Sequence, residues 1–143
     1  MQEDTIFMKI IRREVPADIV YEDDDTIAFL DIKPIRIGHT LVVPKKISRN
    51  IFDMDDDTAA AFIKTIKKVA RAVKETVRAD GINIGINNER AAGQIVFHAH
   101  AHIIPRFLDD GLKVWGRGKD YSQGEAITIS EKIRERIKQD ADT

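Results

Sequence analysis

The spacing of apolar residues changes along the chain from a helical period to the two-residue period of strands. Near the N-terminus the apolar positions between Ile6 and Ile11 fall on one stripe of a helix, which Pro16 cannot continue. Two short apolar runs then predict a hairpin of strands at 19–21 and 26–30, joined by an acidic turn.

A longer helical pattern follows a third predicted strand at 39–43. Carboxylates at 55–57 crowd its start, where they stabilise the positive end of a helix dipole. Gly81 stands where a C-terminal cap belongs. Between these limits the apolar residues that predict a core-facing stripe are Phe62, Ile66, Val69, Val73 and Val77.

Two further strands are predicted at 82–87 and 94–104, and Thr128 with Glu131 fits a capping box for a last short helix. Strands and helices do not alternate as in parallel βαβ proteins, so the order favours an α+β fold with a mainly antiparallel sheet. We expect one domain over 1–143, with the segment 113–119 either packed as a tail through Trp115 or lying at the edge of a pocket or partner interface.

Composition and charge exclude several classes of function. With 23 basic and 24 acidic residues and no long basic run, the chain has no field that would bind a nucleic-acid backbone. It contains no cysteine, which excludes disulfides, thiolate catalysis and Cys-based zinc sites. No apolar run approaches the ~18 residues of a membrane span, and the acidic N-terminus is unlike a signal peptide. We therefore expect a cytoplasmic protein without nucleic-acid or membrane partners.

Three of the four histidines, His98, His100 and His102, stand at alternate positions in an apolar segment. On a strand, residues two apart face the same side at ~6.6–6.8 Å, so these side chains would form a row on one face. In a helix the same residues would scatter around the axis. The valine, phenylalanine and isoleucines around them favour the strand.

Three interpretations of this row remain open: a surface ladder without function, a metal site completed by His39, and nucleophilic catalysis. Neighbours on one strand are poorly placed to converge on an ion ~2 Å from each nitrogen. A neutral imidazole is an able nucleophile towards phosphorus near pH 7. In the preceding loop Asn87 offers an amide donor, and Gly93 lets backbone N–H groups approach an anion. Together they favour an anion-binding site.

The segment His98–Ile104 resembles the signature of the histidine-triad (HIT) nucleotide-binding superfamily, in which histidines alternate with apolar residues. The resemblance covers about residues 5–106, leaving 107–143 as a C-terminal tail. The ending Ile104–Arg106 is similar to the bacterial and archaeal branch of HIT-like hydrolases. The other similar blocks are Ile6–Ile10, Tyr21–Asp23, Ala28–Ile32, Gly38–Lys46 and Gly93–Gln94.

The resemblance implies a five-stranded antiparallel sheet with one long and one or two shorter helices, in a homodimer whose sheets become continuous. It also implies that a purine nucleotide is cleaved at the α-phosphate of NMP–X, where X is a polyphosphate, an amine or sulfate. A covalent nucleotidyl-histidine would be the intermediate, with dinucleoside polyphosphates and nucleoside phosphoramidates as typical substrates.

The resemblance further assigns a role to each matching residue. His100 would be the nucleophile, His98 and His39 would orient and polarise it, and His102 would contact the phosphate or the leaving group. Asp31 would accept from the ribose hydroxyls. The remaining implied contacts are Ile6, Phe7, Phe29, Ile32 and Leu41 around the base, and Asn87, Gly93 and Gln94 at the phosphate.

Three features depart from the family pattern. Thr5 and Met8 replace a cysteine pair that holds zinc in many bacterial members, and Ile47 replaces a further histidine, so zinc is not expected. Ile95 replaces a serine that assists amine leaving groups in the phosphoramidase branch. We expect no required cofactor, and magnesium only alongside a polyphosphate substrate. The alternatives are a nucleotide-binding interaction protein with negligible turnover and a zinc-dependent hydrolase.

Overall fold

The computed structural model describes residues 4–113, 116 and 118–141, in two compact units that meet in sequence at Asp110 and Gly111. The first unit contains the sheet and two helices, and the second contains one helix. None of the described helices is long and apolar enough to cross a membrane. Trp115 lies outside the described residues, so its expected anchoring of the tail stays a prediction.

The first unit is built on a five-stranded sheet in the order β1-β2-β3-β5-β4, with every neighbouring pair antiparallel. This confirms the predicted antiparallel α+β fold with one long and two shorter helices. The elements are α1 (Ile6–Ile11), β1 (Ile19–Glu22), β2 (Thr26–Leu30), β3 (Thr40–Pro44), α2 (Asp56–Val77), β4 (Gly81–Ile86), β5 (Ala101–Arg106) and α3 (Glu125–Ala141).

The two faces of the sheet are covered by different helices. On one face, Phe62, Ile66 and Val69 of α2 pack against Val42 and Ile103 of the central strands. On the other face the buried cluster contains Phe7 and Ile10 of α1 with the alternate residues Ile27, Phe29, Leu41 and Val43. Alternation along β2 and β3 therefore separates a core under α2 from a second core that reaches the histidines.

Three predicted boundaries were wrong. Helix α2 ends at Val77 and is capped by Arg78, which has a left-handed backbone (φ 56°, ψ 44°) and donates its N–H to Lys74 O, while Gly81 begins β4. Helix α3 begins at Glu125, so Thr128 lies inside it. Strand β5 begins only at Ala101, because the preceding residues leave the sheet and Ala99 N–H donates to Ser48 O at 2.8 Å.

Candidate functional site

The histidine rings form a cluster even though the row does not lie on one strand. His102 belongs to β5, and His39 immediately precedes β3. His98 and His100 lie in the irregular segment before β5. The ring centroids of His102 are 5.0 Å from His100 and 5.2 Å from His39. The bend before β5 therefore brings the middle histidine beside the strand histidine instead of holding it at strand spacing.

The tautomer of His100 follows from its hydrogen bond. Its Nδ1 lies 2.7 Å from the carbonyl oxygen of His98. A carbonyl only accepts, so Nδ1 carries the proton and Nε2 keeps its lone pair. Burial lowers the pKa of His100, which keeps the ring neutral near pH 7. The ring also meets Phe7 edge to face at 4.8 Å between centroids. His100 is thus a neutral imidazole with a free Nε2.

A second chain of hydrogen bonds sets the tautomer of His102. The backbone N–H of Ile35 donates to Nδ1 of His39 at 3.1 Å, so the His39 proton is on Nε2. That Nε2 lies 2.9 Å from Nδ1 of His102 and donates to it. The His102 proton is therefore on Nε2, which makes this ring a hydrogen-bond donor. Burial lowers the pKa of both rings.

His98 anchors the segment that precedes β5. It is fully buried, and its Nε2–H donates to Pro44 O at 2.9 Å, which ties the segment before β5 to the end of β3. Among the described residues, its Nδ1 has no hydrogen-bond partner. Burial lowers the pKa of His98. It orients His100 through its backbone carbonyl instead of through its ring.

A cleft of about 740 Å³ lies beside His100 and His102, on the face of the sheet that carries α1. Its wall is mainly apolar, with Asp31 and Lys33 as its charged side chains. The residues expected at the nucleotide that line it are Ile6, Phe7, Phe29, Asp31, Ile32, Leu41, Asn87 and Gly93. Val15–Ala17 also line the cleft and were not predicted from the sequence. They lie in the connection between α1 and β1, which has no apolar periodicity that would indicate a binding site.

Gln94 has a different place from the one that the resemblance implied. Its side chain is 2% exposed and is absent from the cleft wall. Its Oε1 accepts from the backbone N–H of Glu89 at 2.8 Å, and its Nε2 donates to Arg49 O at 2.6 Å. With both ends of the amide engaged by the protein, Gln94 holds the loop in shape and is not available to a phosphate.

Gly93, one residue earlier, lies in the cleft wall with a left-handed backbone (φ +94°). Its carbonyl oxygen is 3.5 Å from Nδ2 of Asn87. A Cβ at this position would meet the same amide nitrogen at 3.5 Å. Glycine therefore supplies a backbone conformation that other residues rarely adopt, close to the one amide side chain that faces the cleft.

A cation bound by Asp31, His39 and His102 would require a change in the hydrogen bonds of His39. The ligand atoms of Asp31, His39 and His102 lie within 4.8 Å of one another. However, Nε2 of His39 already carries a proton, because Ile35 N–H occupies Nδ1. Binding metal at Nε2 would move that proton to Nδ1, where two donors would face each other. In the observed arrangement His39 instead links Ile35 N–H to Nδ1 of His102 through two hydrogen bonds.

The sequence profile of the HIT domain matches residues 12–109. An uncharacterized HIT-like protein of Methanocaldococcus jannaschii is 53% identical over 123 residues, which cover 85% of this chain and 95% of that protein.

Two further relatives carry functional names. An adenylylsulfatase of Arabidopsis thaliana, HINT3, is 38% identical over 112 residues, covering 78% of this chain and 57% of that protein. The crystal structure of a histidine triad nucleotide-binding protein from Candida albicans has a TM-score of 0.85 at 31% identity. That match covers 95% of this chain and 99% of the other.

Proposed function

Because the chain belongs to the histidine-triad (HIT) family, we propose that it cleaves NMP–X at the α-phosphate through a covalent nucleotidyl intermediate on His100. The observation that carries the proposal is the tautomer of this ring. Nδ1–H is fixed on a backbone carbonyl, so the lone pair of Nε2 is free in a ring that lines the cleft. A positioned neutral imidazole of this kind is a nucleophile at pH 7.

The cleft accommodates a purine nucleotide in one orientation. Its apolar wall, which includes Phe7, Phe29 and Leu41, takes the base, and the carboxylate of Asp31 accepts from the ribose hydroxyls. The phosphate then lies near Asn87 and His100, where the amide donates to its oxygens. A cleft of about 740 Å³ is within the usual size of a small-ligand site.

In the first step Nε2 of His100 bonds to the α-phosphorus while the P–X bond breaks and its electron pair leaves with X. The positive charge on the ring is stabilised by the hydrogen bond from Nδ1–H to His98 O. His102 donates a hydrogen bond from Nε2 to the phosphate or to X. In the second step water bonds to phosphorus, the N–P bond breaks, and NMP and one proton are released.

The leaving group proposed for the first assay is sulfate. The Arabidopsis thaliana relative is named an adenylylsulfatase, and sulfate leaves as an anion that needs no proton. No cofactor takes part in this scheme, and magnesium enters only as a counter-ion of polyphosphate substrates. Activity on adenylyl sulfate that disappears with chelator and returns with zinc would contradict the metal-free scheme and support the zinc hydrolase.

Rapid-quench mass spectrometry on adenylyl sulfate tests the intermediate. We expect an acid-labile AMP adduct on the wild-type chain and none on His100→Ala, with turnover of that variant reduced at least ~10³-fold. His98→Ala is not a suitable control because its ring is buried; Lys33→Ala, at the cleft rim, is expected to keep the adduct. Tight AMP binding without turnover of any NMP–X would instead favour an interaction protein.

We also propose a homodimer in which the two sheets become continuous. In support, β4 is an edge of the sheet, and an edge strand offers unpaired backbone groups to a second copy of itself. Ile84 on this strand is half exposed, so an apolar side chain accompanies the open edge. Sedimentation equilibrium is expected to give a dimer at micromolar concentration; a monomer there would overturn the proposal.

A further inference from the structure

Glu89 has a backbone conformation that side-chain-bearing residues rarely adopt. Its φ of 76° and ψ of 161° fall in a region that is essentially confined to glycine. This differs from the left-handed helical conformation at Arg78, which costs a residue with a side chain about 1–2 kcal/mol. Glu89 lies in the loop between Asn87 and Gly93, both of which line the cleft.

Neighbouring groups hold Glu89 in this conformation. Its carboxylate accepts from Nε and Nη2 of Arg49, each at 2.9 Å, and from Nδ2 of Asn50. Its backbone N–H donates to Gln94 Oε1 at 2.8 Å. Its carbonyl accepts from the N–H groups of Ala92 and Gln94, each at 3.1 Å. A strained backbone persists only where its surroundings determine it in this way.

The anchoring segment also holds the histidines. Asn50 is buried and begins the short turn Ile51–Asp53, and Ile51 N–H donates to Oδ1 of Asn88 at 3.0 Å. In the same segment Ser48 O accepts from Ala99, between His98 and His100. The segment 48–53 is therefore a common support for the loop at 87–93 and for the nucleophile.

We propose that Glu89 is a positioning residue, whose carboxylate, held by Arg49 and Asn50, keeps the 87–93 loop in the glycine-like shape that presents Asn87 and Gly93 to the phosphate. This inference rests on the proposed function for its catalytic consequence, but its structural part does not need a substrate. The hydrogen bonds of the Glu89 carboxylate to Arg49 and Asn50 stabilise a backbone conformation that glycine would adopt without them.

Three variants separate this role from a simple surface ion pair. Glu89→Ala keeps a Cβ, which disfavours the observed backbone conformation, and loses the anchor, so the loop should relax. Glu89→Gly also loses the anchor, but glycine adopts this conformation without strain. We expect Glu89→Ala to lower kcat/KM for adenylyl sulfate about tenfold, and Glu89→Gly to restore it to within about twofold. Glu75→Ala, which removes an exposed ion pair with Arg71, is the matched control and should leave kcat/KM unchanged.

Hydrogen exchange supplies the measurement that needs no turnover. In Glu89→Ala the amides of Ala92 and Gln94 should exchange about tenfold faster than in the wild type, and in Glu89→Gly they should stay protected. Equal exchange in both variants overturns the proposal, as does equal loss of kcat/KM. If no NMP–X is turned over by the wild type, the proposed function fails, while the exchange difference still decides the role of Glu89.

Discussion

Two substitutions of His39 separate the hydrogen bonds that set the His102 tautomer. In His39→Asn the side-chain oxygen can occupy the place of Nδ1 and accept from Ile35, but the donor to His102 is lost. In His39→Gln the amide nitrogen can occupy the place of Nε2 and donate to His102, but the acceptor for Ile35 is lost. Each variant thus removes one hydrogen bond and preserves the other.

The size of the effect follows from the cost of leaving a buried polar group unsatisfied, about 1–3 kcal/mol. Both variants should lose a similar amount of stability for this reason. Only His39→Asn leaves the proton of His102 free to move to Nδ1, which removes the donor that faces the phosphate. We therefore expect its kcat to fall about 10- to 100-fold, while His39→Gln stays within about threefold of the wild type.

Single-turnover rates on adenylyl sulfate, measured beside urea unfolding of both variants, test this reasoning. The two variants should differ in single-turnover rate but not in free energy of unfolding. Equal rates, or a slower His39→Gln, would refute it, because the donor to His102 would then have no part in the chemical step.

Three further predictions concern the pH dependence, the ribose contact and the core. Burial lowers the pKa of all four histidines, so at acid pH the unfolded chain binds more protons than the folded chain. The free energy of unfolding should therefore fall as the pH drops below about 6.5. Unfolding in urea at pH 7.5 and 5.5 measures this, and equal stabilities would contradict it. Asp31→Asn should raise KM about tenfold or more with a smaller change in kcat, and 2′-deoxy substrates should lose this difference. Phe62 is 1% exposed and packs between α2 and the sheet. Phe62→Ala should lower the free energy of unfolding, measured in urea, by about 3–5 kcal/mol. A loss below about 1 kcal/mol would argue against the close packing described for this core.

The sequence predicted the antiparallel sheet and the family because both depend on short-range patterns. The short, continuous apolar runs of β2 and β3 are typical of strands that are buried on both faces. The prediction of a strand failed at residues 94–100, which lie outside the sheet: Ala99 N–H donates to Ser48 O, and Nε2–H of His98 donates to Pro44 O. Those partners are some 50 residues away in sequence, beyond the range of any periodic signal.

The role of single polar residues was harder to predict for the same reason. Gln94 stands beside a glycine in the loop that we propose binds the phosphate, and nothing local distinguishes a side chain that reaches a ligand from one that binds the loop itself. Its acceptor Arg49 O is 45 residues away in sequence and is brought to it only by the fold. Nor does the sequence around Glu89 indicate its glycine-like backbone, because glutamate normally argues against such a conformation.

The central claim is that Nε2 of His100, and no other nitrogen, bonds to the α-phosphorus. Chains labelled with ¹⁵N-histidine can be quenched during turnover of adenylyl sulfate, and the adduct located by ³¹P–¹⁵N coupling. The hydrogen bond from Nδ1–H to His98 O predicts coupling to Nε2 of His100 alone. An adduct on Nδ1, an adduct on another histidine, or turnover with no adduct would contradict the account.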